Sequence, residues 1–174
     1  MSFERLDSET VWQGRIGTVR VDRFRYPDGE EAQREVIADP GAVAIVAHDG
    51  ERLLLVRQPR EAVNETALLE LPAGKLDAEG ESPLETAQRE LAEEVGKGAN
   101  AWQHLVTFYT SPGFVDEECH VFLATDLFDR SAEPDENERI EIVEHPLADL
   151  DGLIKDCRDA KSLVGLLWFR AFRG

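Results

Sequence analysis

Lysine is scarce in this sequence. Only Lys75, Lys97, Lys155 and Lys161 accompany 15 arginines, and 36 Asp and Glu residues outweigh the 19 basic ones, leaving a formal net charge of −17. General binding to nucleic acid or to anionic membranes is excluded by that balance, because both need a cationic surface that displaces counterions. Cysteine is rarer still. Cys119 and Cys157 are too few for a disulfide framework and lack the paired spacing of a zinc site, so they are expected as free thiols in a reducing compartment. No apolar run approaches the roughly 20 residues that span a bilayer. The start, "MSFERLDSET", is polar and acidic and lacks the basic-then-apolar layout of a secretion signal, which predicts a cytoplasmic protein. An acidic, lysine-poor surface is also what proteins of salt-accumulating cells display, where screening relieves carboxylate repulsion; an ordinary acidic protein is the alternative.

What remains is enough for one domain with a core, carrying a small N-terminal appendage. "GRIGTVRVDRFRYPDGEEAQREVIAD" reads as two strands around Pro27-Asp28-Gly29. "GAVAIVAHDGERLLLVRQ" reads as a hairpin, its apolar runs flanking Asp49-Gly50, a dipeptide suited to a type I′ turn. A short strand at Ala67 to Leu71 leads into "PAG", and "TFYTS", "CHVFLATDL" and "RIEIVEH" are further strand candidates. "PLADLDGLIKDC" and "SLVGLLWFRAF" read as two C-terminal helices. The expected fold class is α/β (α+β): a mixed β-sheet sandwiched between helices, with an antiparallel β arm at the N-terminus.

One helix has explicit ends. Ser82 can cap it, Pro83 suits its first position, Glu85 completes a Ser-x-x-Glu capping box, and Gly96 can end it in a left-handed conformation. Leu84, Ala87, Leu91 and Val95 form its apolar stripe. At about 100° per residue, Glu90 and Glu94 lie roughly 40° apart with Glu93 nearby, all at the border of that stripe. Like charges at these spacings destabilise a helix by a few tenths of a kcal/mol per pair, so a compensating cation is expected. Oxygen-only ligands of high negative charge suit Mg²⁺ or Mn²⁺.

Gly74, Glu81, Arg89, Glu90, Leu91, Glu93, Glu94 and Gly96 together resemble the signature of the Nudix hydrolase family. Two departures stand out: six residues rather than the usual five separate Gly74 from Glu81, read as an insertion at Ala78-Glu79-Gly80, and Lys97 replaces an aliphatic residue. The resemblance implies that Glu90 and Glu94 are the principal metal ligands, that Glu93 supports a further metal or its water, and that the Ala73 carbonyl contributes from the loop. Arg89 would orient the glutamates by ion pairing. The implied reaction is metal-assisted attack of water on a phosphorus of a pyrophosphate.

Three further stretches resemble the ADP-ribose pyrophosphatase branch of that family. "VRQPREAV" implies a substrate contact from Arg60. "SPGFVDE" places Pro112 and Gly113 at the substrate and Glu117 toward the site, Pro112 standing sixteen positions after Gly96. "PDENE" resembles an acidic loop carrying the general base, Glu136, with Glu138 as the alternative. The implied products are AMP and ribose 5-phosphate. In that branch the N-terminal region crosses to a partner subunit, so residues 1–38 are expected to form a dimerising β arm and 39–174 the Nudix domain of a homodimer. An aromatic residue often stacks on the base there, but Ile16 stands near the expected place. Three rivals follow: a pyrophosphatase for another nucleoside diphosphate sugar, a Nudix-like module that binds a nucleotide sugar without cleaving it, and an acidic cation-binding structural protein, which would leave the Arg60 segment and the Ser-Pro-Gly turn unexplained.

Overall fold

The computed structural model describes residues 2–15, 17–130, 132 and 139–172, which divide into two units. The first comprises residues 1–41 and 109–118. Its antiparallel sheet is formed by β1 (Glu4–Gln13), β2 (Thr18–Arg25) and β3 (Glu31–Ala38), with β2 in the centre. The expected turn between β2 and β3 is present: Tyr26 and Glu30 close it through a 2.9 Å backbone bond, with Gly29 at φ +85°. β1 lies where the sequence reading saw only a polar N-terminus. Nearly all its side chains are exposed, so no buried face imposes an apolar alternation on it. Main-chain pairing to β2 holds the strand instead, assisted by Arg23 to Asp7 at 2.5 Å and Ser8 to the buried Asp22 at 2.6 Å. Residues 109–118 return to this unit, where Ile37 exchanges backbone bonds with Phe114 and Asp116.

The second unit comprises residues 42–108 and 119–174. It contains β4 (Ala42–His48), β5 (Arg52–Arg60), β6 (Glu65–Glu70), β7 (Ala73–Lys75), β8 (Lys97–Tyr109, whose last residue belongs to the first unit), β9 (Glu118–Asp129, whose first residue does too) and β10 (Glu141–Pro146). The sheet runs β10-β5-β4-β9-β8, with β6 added to β5 and β7 to β4. β4 pairs parallel with β9 and antiparallel with β5 and β7, which makes the sheet mixed. Helices α1 (Pro83–Val95), α2 (Leu150–Asp156) and α3 (Ala160–Phe172) cover it.

Residues 42–47 of β4 are all buried, as expected of a central strand covered on both faces. Alternation then sorts side chains between two cores. Val43, Ile45, Leu54 and Val56 meet α1 through Ala87, Leu91 and Val95. Ala44, Val46, Leu53 and Leu55 meet α2 and α3 through Leu150, Leu153, Leu166 and Phe169. At Gly165 a Cβ would lie 2.8 Å from Leu71 Cδ1, so glycine lets α3 approach the sheet this closely.

Two local expectations are corrected. Among described non-glycine residues only Asn64 and Asp126 have positive φ, so Asp49 does not adopt the type I′ conformation. Its carboxylate instead accepts from Glu51 N (2.9 Å) and Arg52 N (2.7 Å), forming a side-chain-closed turn with Gly50 at φ +101°. Leu84 leaves the apolar stripe: it lies in the first turn of α1 and is 37% exposed. Cys119 is buried and Cys157 half-buried, both as free thiols. No described helix is long and apolar enough to cross a membrane.

Candidate active site

α1 begins and ends where its sequence dictates. Ser82 Oγ accepts from Glu85 N at 3.3 Å, Glu85 Oε2 accepts from Ser82 N at 2.8 Å, and Pro83 occupies the first helical position. The Ser82 hydrogen bonds hold the Glu85 carboxyl below the usual carboxylate range. Gly96 closes the helix at φ 68°, ψ 25°, donating to Ala92 O at 3.0 Å. Between these caps, the apolar contacts of Ala87, Leu91 and Val95 fix which helix face meets the sheet.

That orientation buries two carboxylates at the border of the core: Glu90 is 8% and Glu94 5% exposed. The strand–loop segment leading into α1 receives both. A Cβ on Gly74 would lie 2.0 Å from Glu90 Cδ, so only glycine leaves room for this side chain. One residue earlier, Ala73 N donates to Glu94 Oε2 at 2.9 Å. Two residues of β7 therefore position two glutamates of α1.

Arg89 organises the acidic face. Its Nη1 donates to Glu90 Oε1 and Glu93 Oε2, both at 2.8 Å, and its Nε to both oxygens of Glu81 at 3.2 Å. Burial opposes its charge, but the field of Glu90 and hydrogen bonds to Glu93, Glu81 and Glu90 prevail and raise its pKa. Thr86, fully buried, fixes the other side of Glu81 through a 3.0 Å bond to Oε2. In these contacts one guanidinium serves Glu81, Glu90 and Glu93 while Glu94 is held by a backbone N–H.

The donor set fits a hard divalent cation: oxygen-only, concentrated in negative charge, and partly desolvated. Glu90, Glu93 and Glu94, with Ala73 beside them, are the groups that could hold it. Among the described residues no three His, Cys, Asp or Glu side chains converge at metal-ligand spacing. Arg89 engages one oxygen of Glu90 and one of Glu93.

Arg60, at the end of β5, makes a bidentate pair with Glu70: Nε to Oε1 at 2.6 Å and Nη2 to Oε2 at 2.7 Å. The Glu70 side chain is completely buried, whereas that of Arg60 is 40% exposed. The bond to Glu70 raises the Arg60 pKa against burial, with smaller contributions from the charges of Asp159 and Glu94. Arg60 and the glutamates of α1 thus belong to one unit and one electrostatic environment.

Pro112, Gly113 and Glu117 belong to the other unit. Pro112 and Gly113 line a cavity of about 450 Å³ together with Phe3, Phe24, Tyr26 and Arg34. Glu117 closes its loop by accepting from Thr110 N at 3.2 Å. Glu136, Glu138 and Ile16 lie outside the described residues. Aromatic groups sought near Ile16 are present elsewhere in the first unit: Phe3 meets Phe24 and Tyr26 edge-on, with centroids 5.3 and 6.5 Å apart. The i, i+2 spacing of Phe24 and Tyr26 was the available sequence signal, since it puts both on one face of an extended strand.

Residues 38–164 match the model described as "NUDIX domain", and residues 3–37 match "Nucleoside diphosphate sugar hydrolase N-terminal domain". An ADP-ribose pyrophosphatase of Bacillus subtilis (strain 168) is 38% identical over 167 residues, 93% of this chain and 89% of that protein. A methanol dehydrogenase activator of Bacillus methanolicus is 35% identical over 170 residues, 95% of this chain and 91% of that protein. The solved structure described as "Crystal structure of ADP compounds hydrolase" superposes with a TM-score of 0.86 at 30% identity, covering 99% of this chain and 94% of that one. With the capped glutamate helix, the glycine that receives Glu90 and a family match spanning most of its length, the chain belongs to the Nudix hydrolase family.

Proposed function

We propose that the protein hydrolyses the pyrophosphate bond of ADP-ribose, giving AMP and ribose 5-phosphate, with Mg²⁺ or Mn²⁺ as its cofactor. The observation that carries the chemistry is the buried Glu90–Glu94 pair, received by Gly74 and the Ala73 N–H beside Glu93 and Arg89. The names of the Bacillus subtilis relative and the solved structure support the substrate class. Nudix hydrolases generally need a divalent metal.

In this reading Glu90, Glu93 and Glu94, with the Ala73 carbonyl, hold the cation. When bound, it supplies charge neutralisation at the phosphate oxygens and acidifies a water. Arg89 aligns Glu90 and Glu93 through its hydrogen bonds to both. Arg60, fixed by Glu70, presents its exposed side to a phosphate, a suitable partner for a guanidinium fork. Pro112, Gly113 and Glu117 contact substrate, and Glu136 accepts the proton of the attacking water, with Glu138 as the alternative. The protein acts as a cytoplasmic homodimer whose β1–β3 region forms the dimerising arm. Exposed Phe3, Val11 and Trp12 on that arm suit such a contact.

The test is product release from ADP-ribose, ADP-glucose, UDP-glucose and GDP-mannose, with Mg²⁺, at low and molar KCl. Preferential AMP release from ADP-ribose is expected. Preference for another sugar nucleotide would retain the metal chemistry and overturn the substrate. Binding of these compounds by folded, metal-replete protein without cleavage would favour the non-catalytic reading.

A further inference from the structure

The loop that receives the glutamates is anchored from the far end of the chain. Leu71 N donates to Ser162 Oγ at 2.7 Å in a fully buried bond, and Ser162 Oγ donates to Asp159 Oδ2 at 2.7 Å. Asp159 Oδ2 also accepts Ser162 N at 2.9 Å, fixing it over the first turn of α3. Lys161 neutralises the other oxygen at 3.0 Å. Burial disfavours the Asp159 charge, but Lys161 and the Ser162 bonds outweigh it and lower its pKa. Two residues beyond Leu71, Ala73 N holds Glu94 Oε2.

The connection is continuous: Asp159 orients Ser162, Ser162 fixes Leu71, and the short Leu71-Pro72-Ala73 segment presents the N–H that grips Glu94. Pro72 leaves little slack because its ring fixes φ. Its carbonyl is itself held by Ile45 N at 2.8 Å. Lys161 also lies 3.9 Å from Glu70, the partner of Arg60, so the same turn of α3 borders both halves of the site.

We propose that Ser162 and Asp159 are positioning residues for the metal site, setting the Leu71–Ala73 segment so that Glu94 is held in its ligating orientation. This inference rests on the reading of Glu94 as a metal ligand. Serine suits the relay because its hydroxyl accepts from Leu71 and donates to Asp159; alanine removes both functions while keeping the backbone. Groups outside the ligand shell commonly change metal affinity by about 10–100-fold, and a relay one step further out should act at or below the lower end.

The experiment measures Mn²⁺ binding by the loss of the free-ion EPR signal, without substrate, for wild type, Glu94→Gln, Ser162→Ala, Asp159→Asn and Val143→Ala. The last trims a half-buried β10 side chain and touches none of these hydrogen bonds, so it controls for general destabilisation. Wild type should bind and Glu94→Gln should not; equal binding by these two would remove the ligand reading, and the proposal with it. Given that difference, affinity about three- to tenfold weaker in Ser162→Ala and Asp159→Asn, but not in Val143→Ala, supports the relay. Folded Ser162→Ala and Asp159→Asn that bind within twofold of wild type would overturn it while leaving the metal site standing. Should Ser162→Ala fail to fold, Asp159→Asn, which keeps the side-chain volume, decides by the same criterion.

Discussion

Glu94 and Gly74 illustrate how single residues set the chemistry. Glu94→Gln keeps the side-chain volume and one acceptor for the Ala73 N–H but removes the charge. We predict a loss of at least about 100-fold in kcat with an unchanged far-UV circular dichroism spectrum, because a ligand should cost at least as much as the groups that support it. Activity within tenfold of wild type would discard the ligand assignment. Gly74→Ala acts on the neighbouring glutamate by sterics alone. The added carbon would meet Glu90 Cδ at 2.0 Å, so Glu90 must move and its bond to Arg89 with it. An overpacked site of this kind costs about 1–3 kcal/mol, and we predict both a lower thermal midpoint and at least tenfold weaker Mn²⁺ binding. Lower stability with unchanged metal affinity would show that Glu90 does not ligate.

At the level of elements, the bounds of α1 were legible because their signals are local: a capping box, proline at the first position and a glycine terminator. Ser82→Ala should cost about 1 kcal/mol, or about 2–4 °C in the thermal midpoint, without altering kcat. β1 was missed because a strand with exposed side chains carries no periodicity. The Ser162–Leu71 bond was equally invisible, since its partners are 91 positions apart. Glu70, one acid inside the apolar "ALLELP", was a visible clue that sequence reasoning did not use. Asp159 at the start of α3 gives a pH prediction. Its folded pKa is lowered below the ordinary 3.8, so its stabilisation is complete above that value and disappears as pH falls through the folded pKa. Thermal midpoints of wild type should therefore fall more steeply than those of Asp159→Asn as the medium is acidified below pH 3.8. Parallel profiles would mean that Asp159 is not held in its charged form by the fold.

For the whole molecule, the balance of 36 acidic to 19 basic residues decides how salt acts. Two effects oppose each other. Exposed pairs such as Arg23–Asp7, Arg25–Glu31 and Arg57–Glu141 lose attraction when screened, but such pairs contribute only about 0–1 kcal/mol each. The excess carboxylates repel across the folded surface, and that repulsion weakens as the Debye length falls from about 10 Å at 0.1 M salt to about 3 Å at 1 M. Because even complete one-to-one pairing would leave 17 carboxylates over, repulsion should dominate. We predict that the thermal midpoint rises between 0.05 and 2 M KCl, and by a similar amount in NaCl, since screening depends on ionic strength rather than on which monovalent cation supplies it. The measurement belongs in a metal-free buffer, where a bound cation cannot raise the midpoint by mass action. A falling midpoint would assign net stability to the surface ion pairs and remove the salt-adapted reading. A rise together with greater activity at molar KCl would extend that reading from folding to catalysis.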